Sequence, residues 1–314
     1  MIIFDYNQVA ISNLMEQIGS SKTQVEEGLV RHMILNTIRT YVKKFKESHG
    51  PEVVIACDNK NYWRRDIFPH YKASRKKARE TSGHDWNKIF ECLNKIRDEL
   101  RDHSPYKVVT VDTCEADDII ATLVMKHSAT QKVMILSSDK DFAQLQRYQN
   151  VEQYSPILKK YIKEPLPLLQ LKQLIIRGDK GDGIPNILSA DDVFVSGGRQ
   201  KPITETKIIG WMNQEPKEFC NEDMFRNFSR NEILIDLTKI PEKLTEQILH
   251  TYENAKINSR QEFMNYMIAN RLKNLIELID IFLPLYRKKP HLQRYDFLIK
   301  QTNKQTKSFE HGDC

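Results

Sequence analysis

Four short apolar runs set the limits on what this chain can become: Ile2 to Phe4, Val53 to Ala56, Val108 to Val111 and Val133 to Leu136. Each is rich in Ile or Val, and each is followed within three residues by an aspartate. Runs of this length and composition read as parallel strands buried on both faces. Between them lie stretches with helical spacing, Val25-Leu29-His32-Met33, Ile89-Leu93-Ile96-Leu100 and Ile119-Ile120-Leu123-Val124. The alternation predicts an α/β fold with a central, mostly parallel sheet flanked by helices. In such sheets the site lies outside the carboxyl ends of the strands, so Asp5, Asp58, Asp112 and Asp139 are expected to converge.

Beyond about residue 160 the β-branched runs give way to helical periods, Leu168 to Ile176, Phe219 to Leu237, Leu244 to Tyr252 and Phe263 to Leu283. A stretch dense in Gly and Pro, Gly178 to Ile203, separates the two regimes and reads as turns. The expected organisation is an N-terminal α/β domain over 1–177, a mostly helical domain over 178–304 and a polar tail over 305–314. No stretch approaches the roughly 18 apolar residues of a membrane span. The N-terminus has no basic leader and carries an aspartate at once, so it does not read as a signal peptide. Five cysteines, an odd number without a C-x-x-C pair, fit a reducing compartment and a cytoplasmic protein rather than a disulfide scaffold.

The carboxylates gather in three further places. Glu115, Asp117 and Asp118 open an apparent helix, where acids also serve as caps. Asp139 and Asp141 come after the fourth strand at a spacing of two, which aims them in nearly one direction, although they too can cap a helix from Phe142 onward. Asp179 and Asp182 sit among Gly178, Gly181 and Gly183, in a segment that alone reads equally as a surface turn. Together Asp5, Asp58, Glu115, Asp117, Asp118, Asp139, Asp141, Asp179 and Asp182 form an all-oxygen set without a paired His or Cys. That set favours magnesium, with manganese as a substitute, over zinc. Nine acids exceed one hydrated ion's needs, and two ions about 4 Å apart suit phosphodiester hydrolysis.

Residues 60–79 carry eight Lys or Arg against one acid. Lys72, Arg75, Lys76, Lys77 and Arg79 can pair with phosphates, while Tyr62, Trp63 and Tyr71 either stack on bases or pack the loop. A second basic run, Arg287-Lys288-Lys289, is shorter. The formal net charge of +6 understates this asymmetry: without the nine clustered acids, 33 acids face 48 bases. A negative pocket inside a basic surface is suited to a polyanion with a reacting phosphate.

In order along residues 1 to 190, Phe4-Asp5, Ala56-Cys57-Asp58-Asn59, Tyr62-Trp63-Arg64-Arg65-Asp66, Tyr71-Lys72-Ala73-Ser74-Arg75, Glu115-Ala116-Asp117-Asp118, Ser138-Asp139-Lys140-Asp141 and Gly178-Asp179-Lys180-Gly181-Asp182 resemble the 5′-to-3′ exonuclease and flap endonuclease superfamily. Within it they resemble most the ribonuclease H enzymes of large tailed bacteriophages. The resemblance implies a PIN/5′-nuclease-like fold with a basic helical arch over 60–85 and a C-terminal DNA-binding domain. It implies a first ion near Asp5, Asp58, Glu115, Asp117 or Asp118, and Asp139, and a second near Asp141, Asp179 and Asp182. Lys72 and Arg75 match the arch residues that reach the scissile phosphate, making Lys72, Arg75, Asp139, Asp5 and Asp58 the expected catalytic set. Arg64, Arg65, Lys76, Lys77 and Arg79 complete the expected nucleic-acid contacts.

Implied substrates are RNA:DNA hybrids, duplex DNA and 5′ flaps, cut by a monomer that removes lagging-strand primers in a host cell's cytoplasm. Implied partners are a single-strand-binding protein and a sliding clamp. The sequence departs from the superfamily where relatives run Asp-Asn-Ile-Pro-Gly-Val-Gly and this chain has Asp182-Gly183-Ile184-Pro185-Asn186-Ile187-Leu188, without the glycines of a potassium-binding hairpin. It also begins only four residues before Asp5, so a partner contact made by a longer leader is not expected. The competing readings are a PIN-type endoribonuclease and a structure-specific DNA-binding protein without catalysis.

Overall fold

The apolar runs form strands. In the computed structural model of the chain, which describes residues 1–18 and 25–283, the order is β1 (Ile2–Asp5), α1 (Tyr6–Ile18), α2 (Glu27–His49), β2 (Val53–Ala56), α3 (Arg64–Ile67), α4 (Ser74–Thr81), α5 (Trp86–His103), β3 (Lys107–Val109), α6 (Ala116–His127) and β4 (Val133–Leu136). A 3₁₀ helix (Lys140–Arg147), β5 (Val151–Ser155) and β6 (Lys160–Ile162) come next. The remainder is helical: α7 (Pro167–Arg177), α8 (Glu205–Met212), α9 (Pro216–Phe219), α10 (Glu222–Ile235), α11 (Glu242–Glu253), α12 (Arg260–Ala269), α13 (Lys273–Ile276) and α14 (Ile279–Phe282). The basic run 287–289 and the polar tail lie outside the described residues.

The six strands lie in the order β3-β2-β1-β4-β5-β6, parallel except for β6, which pairs antiparallel with β5 at one edge. Strand alternation sorts the core. Ile2 and Phe4 of β1, with Val53 and Ile55 of β2, face α1, α2, α5 and α12 to α14. Ile3, Val54 and Ala56 face α6, the 3₁₀ helix and α11. Both faces are covered, which is why these strands are continuously apolar. A third cluster joins Phe68 and Tyr71 of the basic segment to α7, α8 and α10.

The chain leaves β1 toward β2 on one side, while β4 lies on the other, so strand order reverses beside Asp5. Such a switch point opens a crevice at the carboxyl ends. The third apolar run is shorter than its pattern, because β3 ends at Val109. Asp112 is consequently exposed and faces a cleft of about 410 Å³ beside α11, with Glu246 and His250. It does not join the other strand-end acids.

β5 and β6 have no apolar signature, since β5 reads Val-Glu-Gln-Tyr-Ser, with Gln153 and Ser155 fully buried. The helical period from Phe263 to Leu283 is broken after Ala269, where Arg271 adopts φ 56° and only two four-residue helices remain. Among the described residues Cys57, Cys92, Cys114 and Cys220 are free thiols, and no helix is long and apolar enough to cross a membrane.

Helix α6 buries Ile119, Ile120, Leu123 and Val124 completely against the sheet. Each such side chain contributes about 1.5–3 kcal/mol. Leu123→Ala is expected to cost about 2–5 kcal/mol in urea unfolding. Leu168→Ala, on a side chain 59% exposed, is expected to stay within about 0.5 kcal/mol. Equal costs would contradict the assignment of α6 to the core.

Candidate active site

The strand ends deliver Asp5 directly and Asp58 and Asp139 on the short segments after β2 and β4, while the start of α6 presents Glu115 to Asp118. Asp5 accepts from Gln8 N at 3.2 Å and Ser137 Oγ at 2.9 Å. Asp58 accepts from Asn7 Nδ2 at 2.7 Å and from Ala116 N, at the first turn of α6, at 2.8 Å. Asp139 accepts from Asp141 N at 2.9 Å. On the opposite rim, Asp179 accepts from Gly181 N at 2.7 Å and faces Lys140 Nζ at 2.7 Å.

The cluster is electrostatically crowded. Burial, with Asp58 and Asp139 nearby, pushes the Asp5 carboxyl up to about 7. Burial and the neighbouring Asp139, Asp179 and Asp182 push Asp141 to about 8. Asp117, part-exposed but deep among the acids, is raised well above the carboxylate range by lost hydration and by Asp139, Glu115 and Asp5. Burial also raises Asp58, against the pull of the Ala116 N–H. These are the signs of anions brought together beyond what their surroundings compensate.

Glu115 and Asp182 stand apart. Burial alone would raise both, but Lys72 and Arg64 hold Glu115 below its ordinary value, and Lys72 and Arg75 do the same for Asp182. Lys72 is buried, its Nζ paired with Glu115 and 3.5 Å from Asp182. Tyr71 Oη donates to Glu115 at 2.9 Å and to Asp182 at 3.1 Å, and Arg75 donates to Asp182. The root of the basic segment is thus stapled to the glycine loop. Lys72 N donates to Asp182 O at 2.8 Å. Gly183, at φ 73°, lies so close that a Cβ there would stand 3.0 Å from His70 O.

Two expected roles are corrected by burial. Asp118 is fully buried, accepting from Trp63 Nε1 at 3.1 Å and Glu115 N at 2.9 Å. Its other oxygen lies 2.8 Å from Arg64 Nη2, an ion pair whose angles fall outside hydrogen-bond geometry. It closes the start of α6 and has no free face for an ion. Arg64, 1% exposed, donates to Glu115 at 2.9 Å and Leu234 O at 3.0 Å, so it braces the acids from behind and does not reach a nucleic acid. Arg65 and Lys76 are exposed, Arg79 lies over Phe90, and Lys77 is on α4 with a side chain outside the described set. Trp63 and Tyr71 are packed and hydrogen-bonded, leaving half-buried Tyr62, with Lys72 and Arg65 over its ring, as the aromatic at the mouth. Asn7, Ser137 and Tyr71 carry carboxylate contacts that spacing alone does not announce.

Among the described residues no three acidic, His or Cys side chains stand close enough together to grip an ion as placed. Lys72, Arg75 and Lys140 lie among the acids instead. The donor set nonetheless fits a hard divalent cation. It is all oxygen, its charge is under-compensated, and Asp141 Oδ1 is withdrawn from solvent with no hydrogen-bond partner. Asp5, Asp58, Glu115, Asp117 and Asp139 can serve one ion, and Asp141, Asp179 and Asp182 a second.

Comparison with known proteins identifies the chain's family. A family sequence model for the 5′-3′ exonuclease N-terminal resolvase-like domain matches residues 6–168, and one for the C-terminal part of T4 RNase H matches 167–282. The chain is 34% identical to ribonuclease H of enterobacteria phage T4 over 290 residues, 89% of this chain and 95% of the phage protein. It is 32% identical to the flap endonuclease Xni of Shewanella woodyi over 158 residues, spanning 46% of this chain and 58% of that one. In fold it is similar to the T5 D15 protein co-crystallised with metal ions, with TM-score 0.56 and 17% identity, over 80% of this chain and 98% of the other. A T5 D15 flap endonuclease complex with DNA and metal ions gives the same TM-score over 81% and 99%.

Removing one partner from a buried charge network is costly. Arg64→Ala is therefore expected to lose about 3–5 kcal/mol in denaturant unfolding, whereas Arg65→Ala stays within about 0.5 kcal/mol. Small, equal losses would show that Arg64 is not the brace. Asp141→Asn is expected to stabilise the protein in EDTA by about 1 kcal/mol or more at pH 8, roughly 2–4 °C in Tm. Its carboxyl is raised from 3.8 to about 8, so the native state's advantage is full below 3.8 and is lost as pH rises toward 8. The gain from Asn should accordingly be larger at pH 8 than at pH 5, and a gain independent of pH would refute the crowding.

Proposed function

Because the chain belongs to the 5′-3′ exonuclease family and is a nuclease of it, we propose that it hydrolyses phosphodiester bonds near the 5′ end of RNA:DNA hybrids, duplex DNA and 5′ flaps. In this reading it uses two divalent ions, magnesium with manganese as substitute, and removes primers during lagging-strand synthesis. The observation that carries it is the placement of Lys72 and Arg75 against Glu115 and Asp182. Phosphate-binding cations and a metal-suited acid cluster share one crevice. Support for metal and nucleic-acid use comes from the T5 neighbours, which are complexes with metal ions and with DNA.

Divalent ions at such a site supply a sharpened water nucleophile and neutralise charge on the transferring phosphate. The chain's own residues do the rest. Asn7 and the first N–H of α6 aim Asp58, Ser137 aims Asp5, and Arg64 with Tyr71 fixes Glu115. Lys72 and Arg75 exchange carboxylate partners for phosphate oxygens and orient the scissile group. Tyr62 offers a ring face to the terminal base, while Arg65, Lys76, Lys77 and Arg79 track the backbone. Residues 1–177, with Asp179 and Asp182 of the glycine loop, carry the chemistry and the rest of 178–304 holds duplex, a reading supported by two family models that meet near 167–168. The reading includes a monomer in the host cytoplasm, working beside a single-strand-binding protein and a sliding clamp.

The test uses 5′-labelled flap, hybrid and plain single-stranded RNA substrates with magnesium, with EDTA, and with magnesium plus Asp139→Asn protein. Flap and hybrid should be cut by the unaltered chain in magnesium and not in EDTA, with Asp139→Asn slower by more than about 100-fold. Equal product in all three conditions overturns the metal-dependent mechanism. Preference for plain RNA would favour the endoribonuclease reading, and no product at all a binding protein.

A further inference from the structure

The buried polar residues of β5 have a definite target. The pairing of β4 with β5 ends at Leu136 opposite Tyr154, and beyond it Ser137 to Asp139 leave the sheet with no ladder to hold their carbonyls. Gln153, with no exposed surface, reaches into that gap. Its Nε2 donates to Ser137 O at 3.1 Å and to Asp139 O at 2.6 Å, so one amide spends both hydrogens on the two carbonyls that bracket the acid loop. Its Oε1 accepts from Gln146 Nε2 at 3.2 Å, and Gln146 lies on the 3₁₀ helix that Asp139 itself begins. Gln146 is in turn tied to Ile162 O and Glu164 N beside β6. Two residues on, Ser155 Oγ stands 2.6 Å from Ser138 Oγ, the residue between the bracketed carbonyls.

We infer that Gln153, with Ser155 as accessory, is a positioning residue for Asp139 and Asp141, holding the loop so that both carboxylates can serve divalent ions. Loop, helix and strand close a ring: Asp139 begins the helix, the helix supplies Gln146, Gln146 orients Gln153, and Gln153 returns to Asp139. Ser137 extends it to the first acid, since Ser137 Oγ donates to Asp5 and accepts from Asp139 N at 3.1 Å. A strand that must hold this loop cannot be apolar at Gln153 and Ser155. That accounts for two wholly buried polar residues in β5, where the adjacent strand β4 reads Val-Met-Ile-Leu. Partners behind metal-binding groups commonly alter metal affinity by about 10–100-fold when removed.

The inference rests on the metal-dependent nuclease reading, and its test separates the two. Manganese is titrated calorimetrically into the full chain without nucleic acid, for the unaltered protein, Gln153→Met, Ser155→Ala and Asn258→Leu. Asn258 is a matched control, a buried amide bridging Arg101 O and Ser104 O at 3.1 Å each, on elements away from the acids. Gln153→Met is expected to weaken manganese binding by about tenfold and Ser155→Ala by less. Asn258→Leu should lower Tm as Gln153→Met does, yet bind manganese as the unaltered chain does. Unchanged affinity in folded Gln153→Met, or an equal loss in Asn258→Leu, overturns the positioning role. If Gln153→Met does not fold, Ser155→Ala carries the test, and wild-type affinity there overturns it. An unaltered chain that binds no manganese instead counts against the proposed metal dependence itself.

Discussion

Carboxylates buried side by side at the end of a parallel sheet repel one another, and much of the surrounding structure answers that repulsion. Glu115 is the pivot. Lys72 and Arg64 hold its carboxyl low in a buried position, and Tyr71 donates to it as well. Arg64 is committed so fully that it also carries Asp118, binding the start of α6 to the segment before α4. The acids that lack such partners, Asp5, Asp117 and Asp141, are the ones driven toward the neutral form. Glu115 and Asp118, paired with Arg64, brace the start of α6, while Asp5, Asp117 and Asp141 stay under-compensated.

The same division limits what could be read from the residues alone. β1, β2 and β4 were legible because a strand covered on both faces has one solution, a continuous apolar run. β5 was illegible because its inward positions serve a loop rather than a core, so Gln153 and Ser155 replace the expected Val or Ile. Among the acids, spacing placed Asp5, Asp58 and Asp139 correctly at the strand ends. It could not separate Asp117 from Asp118, neighbours in the first turn of α6 that differ by one step around the helix. One step turns a carboxylate from the crevice into the buried cap.

The basic segment taught a similar lesson. Eight cations within twenty residues suggest one solvated face, yet Arg64 and Lys72 are internal, held by acids distant in sequence. The aromatic residues interleaved with them gave the clue: Phe68, Trp63 and Tyr71 are buried and draw the neighbouring cations inward. Only Lys60, Arg65, Arg75 and Lys76 among the described side chains are exposed, and Arg75 is bonded to Asp182 as well.

The close approach of Gly183 to His70 and Lys72 has a mechanical corollary. With Lys72 N bonded to Asp182 O, and Arg75 bonded to Gly181 O and Asp182, the root of the basic segment is tied to the glycine loop. The two are joined by main-chain contacts as well as by side chains, since Lys72 N bonds to Asp182 O and Gly183 abuts His70 O. The spacing between the basic segment and the carboxylates of Asp179 and Asp182 is therefore set by backbone, and stays fixed whichever anion the Lys72 and Arg75 side chains hold.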